Sequence, residues 1–211
     1  MVVATPHLRA DAQRNLERIL EAARAVFARD GLEASVADVA QVAGVGTATI
    51  FRRFPAKDDL IAALLEDELG RVAERAHLAA GNDDPGKAIG EFMTTTVQSM
   101  IDDRCFCEAN GSELFQRPRI QELVGEVSSS VELLLRRAQD AGAIRRDLVA
   151  EDIGFLMSAV SQAGRALERT APGAWRRYAE IVFGGLHPDN TTSLTHEPPT
   201  LQQLHASKHG G

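Results

Sequence analysis

Aromatic residues are scarce in this chain of 211 residues, with eight Phe, one Trp and one Tyr. Beside abundant alanine and leucine, that scarcity favours helices. Cysteine is scarcer still, with only Cys105 and Cys107. They stand too close in sequence to bridge, and on a helix they would point apart. No histidines cluster near them to complete a metal site, so they are read as structural. No apolar run approaches the ~20 residues that a membrane helix needs. The opening residues MVVATPHLRADAQ lack the apolar core of a signal peptide, so a cytoplasmic protein is expected. A Gly-rich phosphate loop and an H-E-x-x-H pair are both missing, and the acidic residues do not pair into an acid–base constellation. An enzyme is therefore not expected, nor any cofactor or metal.

What is present is acidic overall. The formal net charge of −7 argues against nonspecific nucleic-acid binding by the whole surface. Charge is unevenly placed, however. Between Gly44 and Lys57 the charged residues are Arg52, Arg53 and Lys57, with no acid among them, so any basic footprint is local.

That local footprint lies in the stretch around which the chain is organised, SVADVAQVAGVGTATIFRRFPAKDD, Ser35 to Asp59. Ser35 is a good N-cap. Val36, Val39, Ala40 and Ala43 recur at helical spacing. Gly44 suits the left-handed exit of a tight turn, and Val45 would plug the angle between two helices. A second helix from Thr47 to Phe54 would turn Ile50, Phe51 and Phe54 inward and Ala48, Thr49, Arg52 and Arg53 outward, with Pro55 ending it. On spacing alone this is either a helix-turn-helix that enters a major groove or an ordinary packed helix pair with a solvated charged face.

The run GLEASVADVAQVAGVGTATIFRRFPAKDDLIAAL resembles the N-terminal domain of TetR-family transcription regulators, nearly unbroken from Ile19 to Leu65. The resemblance rests on a G-x-x-x-[ST]-V-x-x-[IV]-A-x-x-A-G-V core, an aromatic-x-x-Phe exit and a Pro-x-Lys-[DE]-x-Leu start. It implies an all-α protein of about nine helices. A three-helix helix-turn-helix domain would be joined by a long helix to a helical bundle for ligand binding and dimerisation. It also implies roles for residues of this chain. Thr47 and Ala48 would face base edges, and Ala37 would offer a methyl contact. Thr49, Arg53 and Lys57 would touch phosphate, with Arg52 beside them. Two residues depart from the family pattern. Phe51 stands where tyrosine is usual and has no hydroxyl for a phosphate, and Gly46 stands where serine is often found.

The expected organisation is an arm without fixed structure at 1–8, then a DNA-binding domain at 9–56, whose first helix carries Leu16, Ile19, Leu20, Ala23, Val26 and Phe27 on one face and whose Arg9 and Arg14, ahead of that stripe, either touch phosphate or are simply solvated. A ligand-binding and dimerisation domain follows at 57–186, and a Pro-, Thr-, His- and Gly-rich tail without fixed structure at 187–211. The tail histidines, 187, 196, 205 and 209, match no closed metal site. The helix starting at Lys57 would serve both domains. In the C-terminal half, polar residues interrupt apolar faces. Phe92, Met93, Thr96, Met100, Phe115, Leu123, Val127, Phe155, Met157, Ser158 and Gln162 are the expected lining of a small-molecule pocket. Small and aromatic residues of the last two helices, Gly154, Ser161, Gly164, Trp175, Tyr178, Val182 and Phe183, are the expected face toward a two-fold mate. The partners expected are thus a double-stranded DNA operator, a small effector and a second copy, with no membrane. The competing reading is a helical small-molecule-binding or adaptor protein that has lost operator binding.

Overall fold

Helical periodicity sets every regular element of the computed structural model, which describes residues 6–109, 112–168, 170–190 and 192–199. Nine α-helices run in order among these residues: α1 Pro6–Asp30, α2 Val36–Ala43, α3 Thr47–Arg53, α4 Lys57–Ala80, α5 Pro85–Asp102, α6 Arg104–Ala109, α7 Pro118–Asp140, α8 Ala150–Leu167 and α9 Trp175–Gly184. A 3-10 turn, Glu113–Gln116, precedes α7. The all-α architecture is as expected. Three boundaries differ. α1 already begins at Pro6, inside the expected arm. α3 stops at Arg53, because Phe54 is extended ahead of Pro55. α9 runs from Trp175 to Gly184 and not from Pro172 to Leu186 as helical spacing suggests, because the turn at Gly173 occupies the residues after Pro172. Residues 1–5 of the arm, the Arg9 and Cys107 side chains, His205 and His209 lie outside the description.

The chain divides into two compact units. The first comprises the described residues up to Leu65 together with Asp103–Ala109, and the second comprises Glu66–Asp102 and the described residues from Ser112 onward. The division falls inside α4, between Leu65 and Glu66, not at its first residue, and α6 joins the first unit.

In the first unit α1 packs on α2 and α6, and α2 on α3. Ile19, Ala23, Val26 and Phe27 of α1 meet the expected stripe Val36, Val39, Ala40 and Ala43 of α2, all buried. Leu60, Ile61, Leu64 and Leu65 of α4 complete this core. Leu16 and Leu20, expected on the same stripe, are half-buried. Ser35 caps α2 in a reciprocal box. Its hydroxyl accepts from the Asp38 amide at 3.2 Å, and its own amide donates to the Asp38 carboxylate at 3.0 Å. The hydroxyl and amide of Ser35 hold the Asp38 carboxyl below the usual carboxylate range. At the other end Gly44 adopts φ 64°, a left-handed conformation that a side chain would strain. Arg18 of α1 donates to the Ala43 carbonyl at 2.6 Å, satisfying an orphan acceptor of α2.

In the second unit α5 packs against α7, α8 and α9. Ile89, Phe92, Met93, Val97, Ile120, Leu134, Ile153 and Trp175 are buried there. Glu68 of α4 is buried as well. It accepts from Ser99 of α5 at 2.7 Å, from Arg71 at 2.6 and 2.9 Å and from Arg75 at 3.2 Å. Gln139 braces the α7–α8 loop by donating to the carbonyls of Arg145 and Leu148. Arg137 of α7 donates to the Ala80 carbonyl at the end of α4.

Candidate nucleic-acid interface

The sequence builds α3 by placing one apolar residue, Ile50, fully inside the core and Phe54 behind it, so that the rest of the seven-residue helix is turned outward. Ala48, Phe51, Arg52 and Arg53 are exposed, and Thr47, Thr49 and Lys57 are half-buried. Ala37, on α2, is exposed as well. The eight residues expected at a DNA surface are therefore all at least partly accessible. One of them corrects the sequence reading. Helical spacing alone turns Phe51 inward, although the family's tyrosine position puts it at the DNA surface, and it is 44% exposed, because Ile50 and Phe54 already occupy the buried side of so short a helix.

Gly46 caps α3 in extended conformation without a side-chain bond. The Thr49 amide instead donates to the Gly46 carbonyl at 2.8 Å. Val45 is half-buried in the turn. Among the described residues, Arg52, Arg53 and Lys57 form no ion pair, so three cations stand without internal compensation. Uncompensated cations on one short segment are what a phosphate backbone selects. Arg14 is exposed on α1 but already has an interaction partner.

The effector residues scatter more. Phe92, Met93, Thr96, Met100, Phe115, Leu123 and Met157 are buried, and Val127 and Ser158 are half-buried. Thr96 carries a buried hydroxyl without a hydrogen-bond partner. Phe155 and Gln162 are exposed, on the face of α8 turned away from that core. They do not line an interior chamber of this chain. Two grooves of the second unit involve none of the expected pocket residues. One, of about 690 Å³, is lined by Gly70, Ala73, Glu74 and His77 of α4 and by Gly125, Glu126, Ser129 and Ser130 of α7. The other, of about 390 Å³, lies between α7 and the loop before α8. The signal for the first was in the sequence, since small residues recur on both helices where bulky ones would fill the gap.

The two-fold face is also corrected in part. Trp175 is 1% exposed, and Ser161 and Gly164 are buried. A Cβ on Gly164 would stand 2.7 Å from both Ile101 Cδ1 and Trp175 Cβ. Gly164 and Trp175 build the joint between α8 and α9, and all three residues are buried within the chain and not available to a second copy. Gly154 and Tyr178 are exposed, and Val182 and Phe183 are half-buried.

Cys105 is buried, and burial pushes its thiol up to about 12, so it is a poor nucleophile. Among the described residues no group of three or more His, Cys, Asp or Glu is placed to hold a metal, and no helix is long and apolar enough to cross a membrane.

A capped helix, a left-handed glycine turn and a short outward helix bearing cations make up a helix-turn-helix of the DNA-binding kind. Comparison with known proteins narrows this. Residues 19–64 match the tetR family of bacterial regulatory proteins, and residues 84–188 match the C-terminal domain of SbtR-like transcriptional regulators. The TetR transcription regulatory protein of Mycobacterium vanbaalenii is 30% identical, with 85% of this chain and 99% of that one covered and a TM-score of 0.64. A TetR regulator of Streptomyces coelicolor is 24% identical over 82% of this chain and 98% of its own, TM-score 0.63. The regulator FadR of Bacillus subtilis, solved in complex with stearoyl-CoA, shares the fold at 18% identity, covering 81% and 99%, TM-score 0.63. Among curated proteins none matches. The chain belongs to the TetR family of transcriptional regulators, which bind DNA and respond to ligands and are in general not enzymes.

Proposed function

We propose that the protein is a homodimeric repressor that binds a palindromic operator and is released by a small, largely hydrophobic effector. The observation that carries the DNA half of this reading is the outward face of α3 with three uncompensated cations around it. Ala37, Thr47 and Ala48 face bases, and Thr49, Arg52, Arg53 and Lys57 hold phosphates. A two-fold pair would present two such helices about one DNA turn apart, ~34–36 Å. The exposed part of the last two helices supports the pairing. Phe155, Tyr178 and Ile181 are large and exposed there, beside Gly154 and the half-buried Val182 and Phe183.

For the effector, support comes from α5. Phe92, Met93 and Met100 surround the helical position of Thr96, whose hydroxyl lacks a partner. A mostly apolar ligand with one oxygen to offer would satisfy that hydroxyl. The Bacillus subtilis regulator that shares the fold was solved with stearoyl-CoA, whose acyl chain, though not its charged CoA portion, is apolar. Such a ligand acts only by preferring one conformational state over the other, and operator DNA weakens its binding by the same factor. α4 is the covalent path for the coupling, because its first two turns belong to one unit and the remainder to the other.

A gel-shift assay against the DNA flanking the coding region tests the reading. The wild-type chain is expected to retain one duplex specifically, and the Arg53→Ala, Lys57→Ala double variant to lose it. Unchanged retention by the double variant rejects the contact assignment. A wild-type chain indifferent to every duplex, and monomeric in sedimentation, rejects the repressor in favour of a ligand-binding protein without an operator.

A further inference from the structure

Resting on the reading of α3 as the DNA-reading helix, we infer that this chain recognises its half-site chiefly through the C5-methyl groups of thymine, met by Phe51 and Ala48. Residues 48, 51 and 52 are exposed and share one face of α3, being three and four positions apart. Two of the three carry only hydrocarbon. Ala37, exposed on α2, adds another methyl.

The helix TATIFRR contains no Asn or Gln to grip adenine and no Asp or Glu to accept from cytosine. Its hydroxyls, on Thr47 and Thr49, are half-buried, and Arg52, the one charge on the face that Ala48 and Phe51 share, is taken up by phosphate in the reading above. The group that a hydrocarbon face can tell apart in the major groove is the thymine methyl, the apolar substituent displayed there by the four base pairs. The exposure of Phe51 points the same way. Its neighbours Ile50 and Phe54 are buried, while the Phe51 ring is left 44% in water and gains from covering by an apolar partner.

The test uses the full-length chain to enrich duplexes from a randomised library. The enriched duplex is then resynthesised with single thymines replaced by deoxyuracil, which keeps the base pair and removes only the methyl. At one or two positions in each half-site the loss of the methyl is expected to weaken binding about four-fold, the worth of roughly one buried CH₂ group. Phe51→Ala, an exposed position whose fold circular dichroism checks, is expected to bind the thymine and uracil duplexes alike at one of those positions. Equal binding by the wild type when every thymine carries no methyl overturns the inference and leaves the DNA reading standing. Undiminished discrimination by Phe51→Ala at every position overturns the assignment to Phe51. Failure to enrich any duplex overturns the DNA reading, and this inference with it.

Discussion

The first unit closes its core on hydrocarbon, with Ile19, Phe27, Val39, Ile50, Leu60 and Leu64 among its buried side chains, whereas the second closes around Glu68, Thr96 and Ser161. In the first unit Ser35 and Arg18 serve helix ends. In the second, polar groups sit inside. Ser161 donates back to the Ser158 carbonyl at 2.8 Å, Glu68 is held by three side chains, and Thr96 is left without a partner. A hydrocarbon core with local caps gives a head of fixed shape. A core that tolerates an unmet hydroxyl is one whose shape a ligand can still change, because satisfying a buried polar group is worth about 1–3 kcal/mol.

The contrast is most directly broken at Glu68. Glu68→Ala is expected to destabilise the protein by about 2–4 kcal/mol, because Arg71, Arg75 and Ser99 lose their common acceptor. Urea denaturation measures this, and a loss below about 0.5 kcal/mol would mean that the network is ornamental. Acidity gives an independent check. Burial pushes the Glu68 carboxyl up, but hydrogen bonds from Ser99, Arg71 and Arg75 outweigh it and hold the group below its ordinary value. Its contribution is therefore full above the unfolded value of about 4.3 and is lost as pH falls through the lower folded value. Wild-type stability should fall more steeply than that of Glu68→Gln in this acid window.

A smaller effect of both signs is expected along α8. Gly164→Ala forces a methyl to 2.7 Å from Trp175 Cβ and Ile101 Cδ1 and should cost about 1–3 kcal/mol. Gly154→Ala meets nothing within 4 Å in the same helix and should stabilise it by roughly 0.5–1 kcal/mol. Melting temperatures of the two variants decide it. Equal shifts would mean that the α8–α9 joint yields, and the second unit would be softer than its packing implies.

These residues also show what the sequence made legible. The turn of the first unit could be read because its determinants are local: Ser35 three residues before Asp38, Gly44 at a helix exit, and Pro55 ending the next helix. The side Phe51 faces could not, since it depends on which of two phenylalanines the core has room for. In the second unit, helix spans followed from periodicity, but burial at a face did not. Trp175 reads equally well as an interface anchor or as the plug of an internal joint until Gly164 is seen opposite it. Glu68 likewise looks like any surface glutamate on α4, because its partner Ser99 lies 31 residues away.

The finest comparison lies inside the first unit, between the starts of α2 and α3. α2 has a side-chain cap and α3 has none. Ser35→Ala removes the reciprocal box with Asp38 and should cost about 1 kcal/mol. Gly46→Ser should move the other way by only a few tenths of a kcal/mol, since glycine is itself a tolerable cap. Backbone geometry permits the change, with φ −70° and ψ 142° at Gly46 suiting any residue. Space permits it too, because the nearest atom to an added Cβ is the Thr49 hydroxyl oxygen at 3.9 Å. The new hydroxyl would reach the amides of the first turn, which α3 now leaves without a side-chain acceptor. Thermal melts should show a rise of about 1–2 °C. A fall would mean that a side chain displaces something holding the start of α3, and the two helices would then differ by more than a cap.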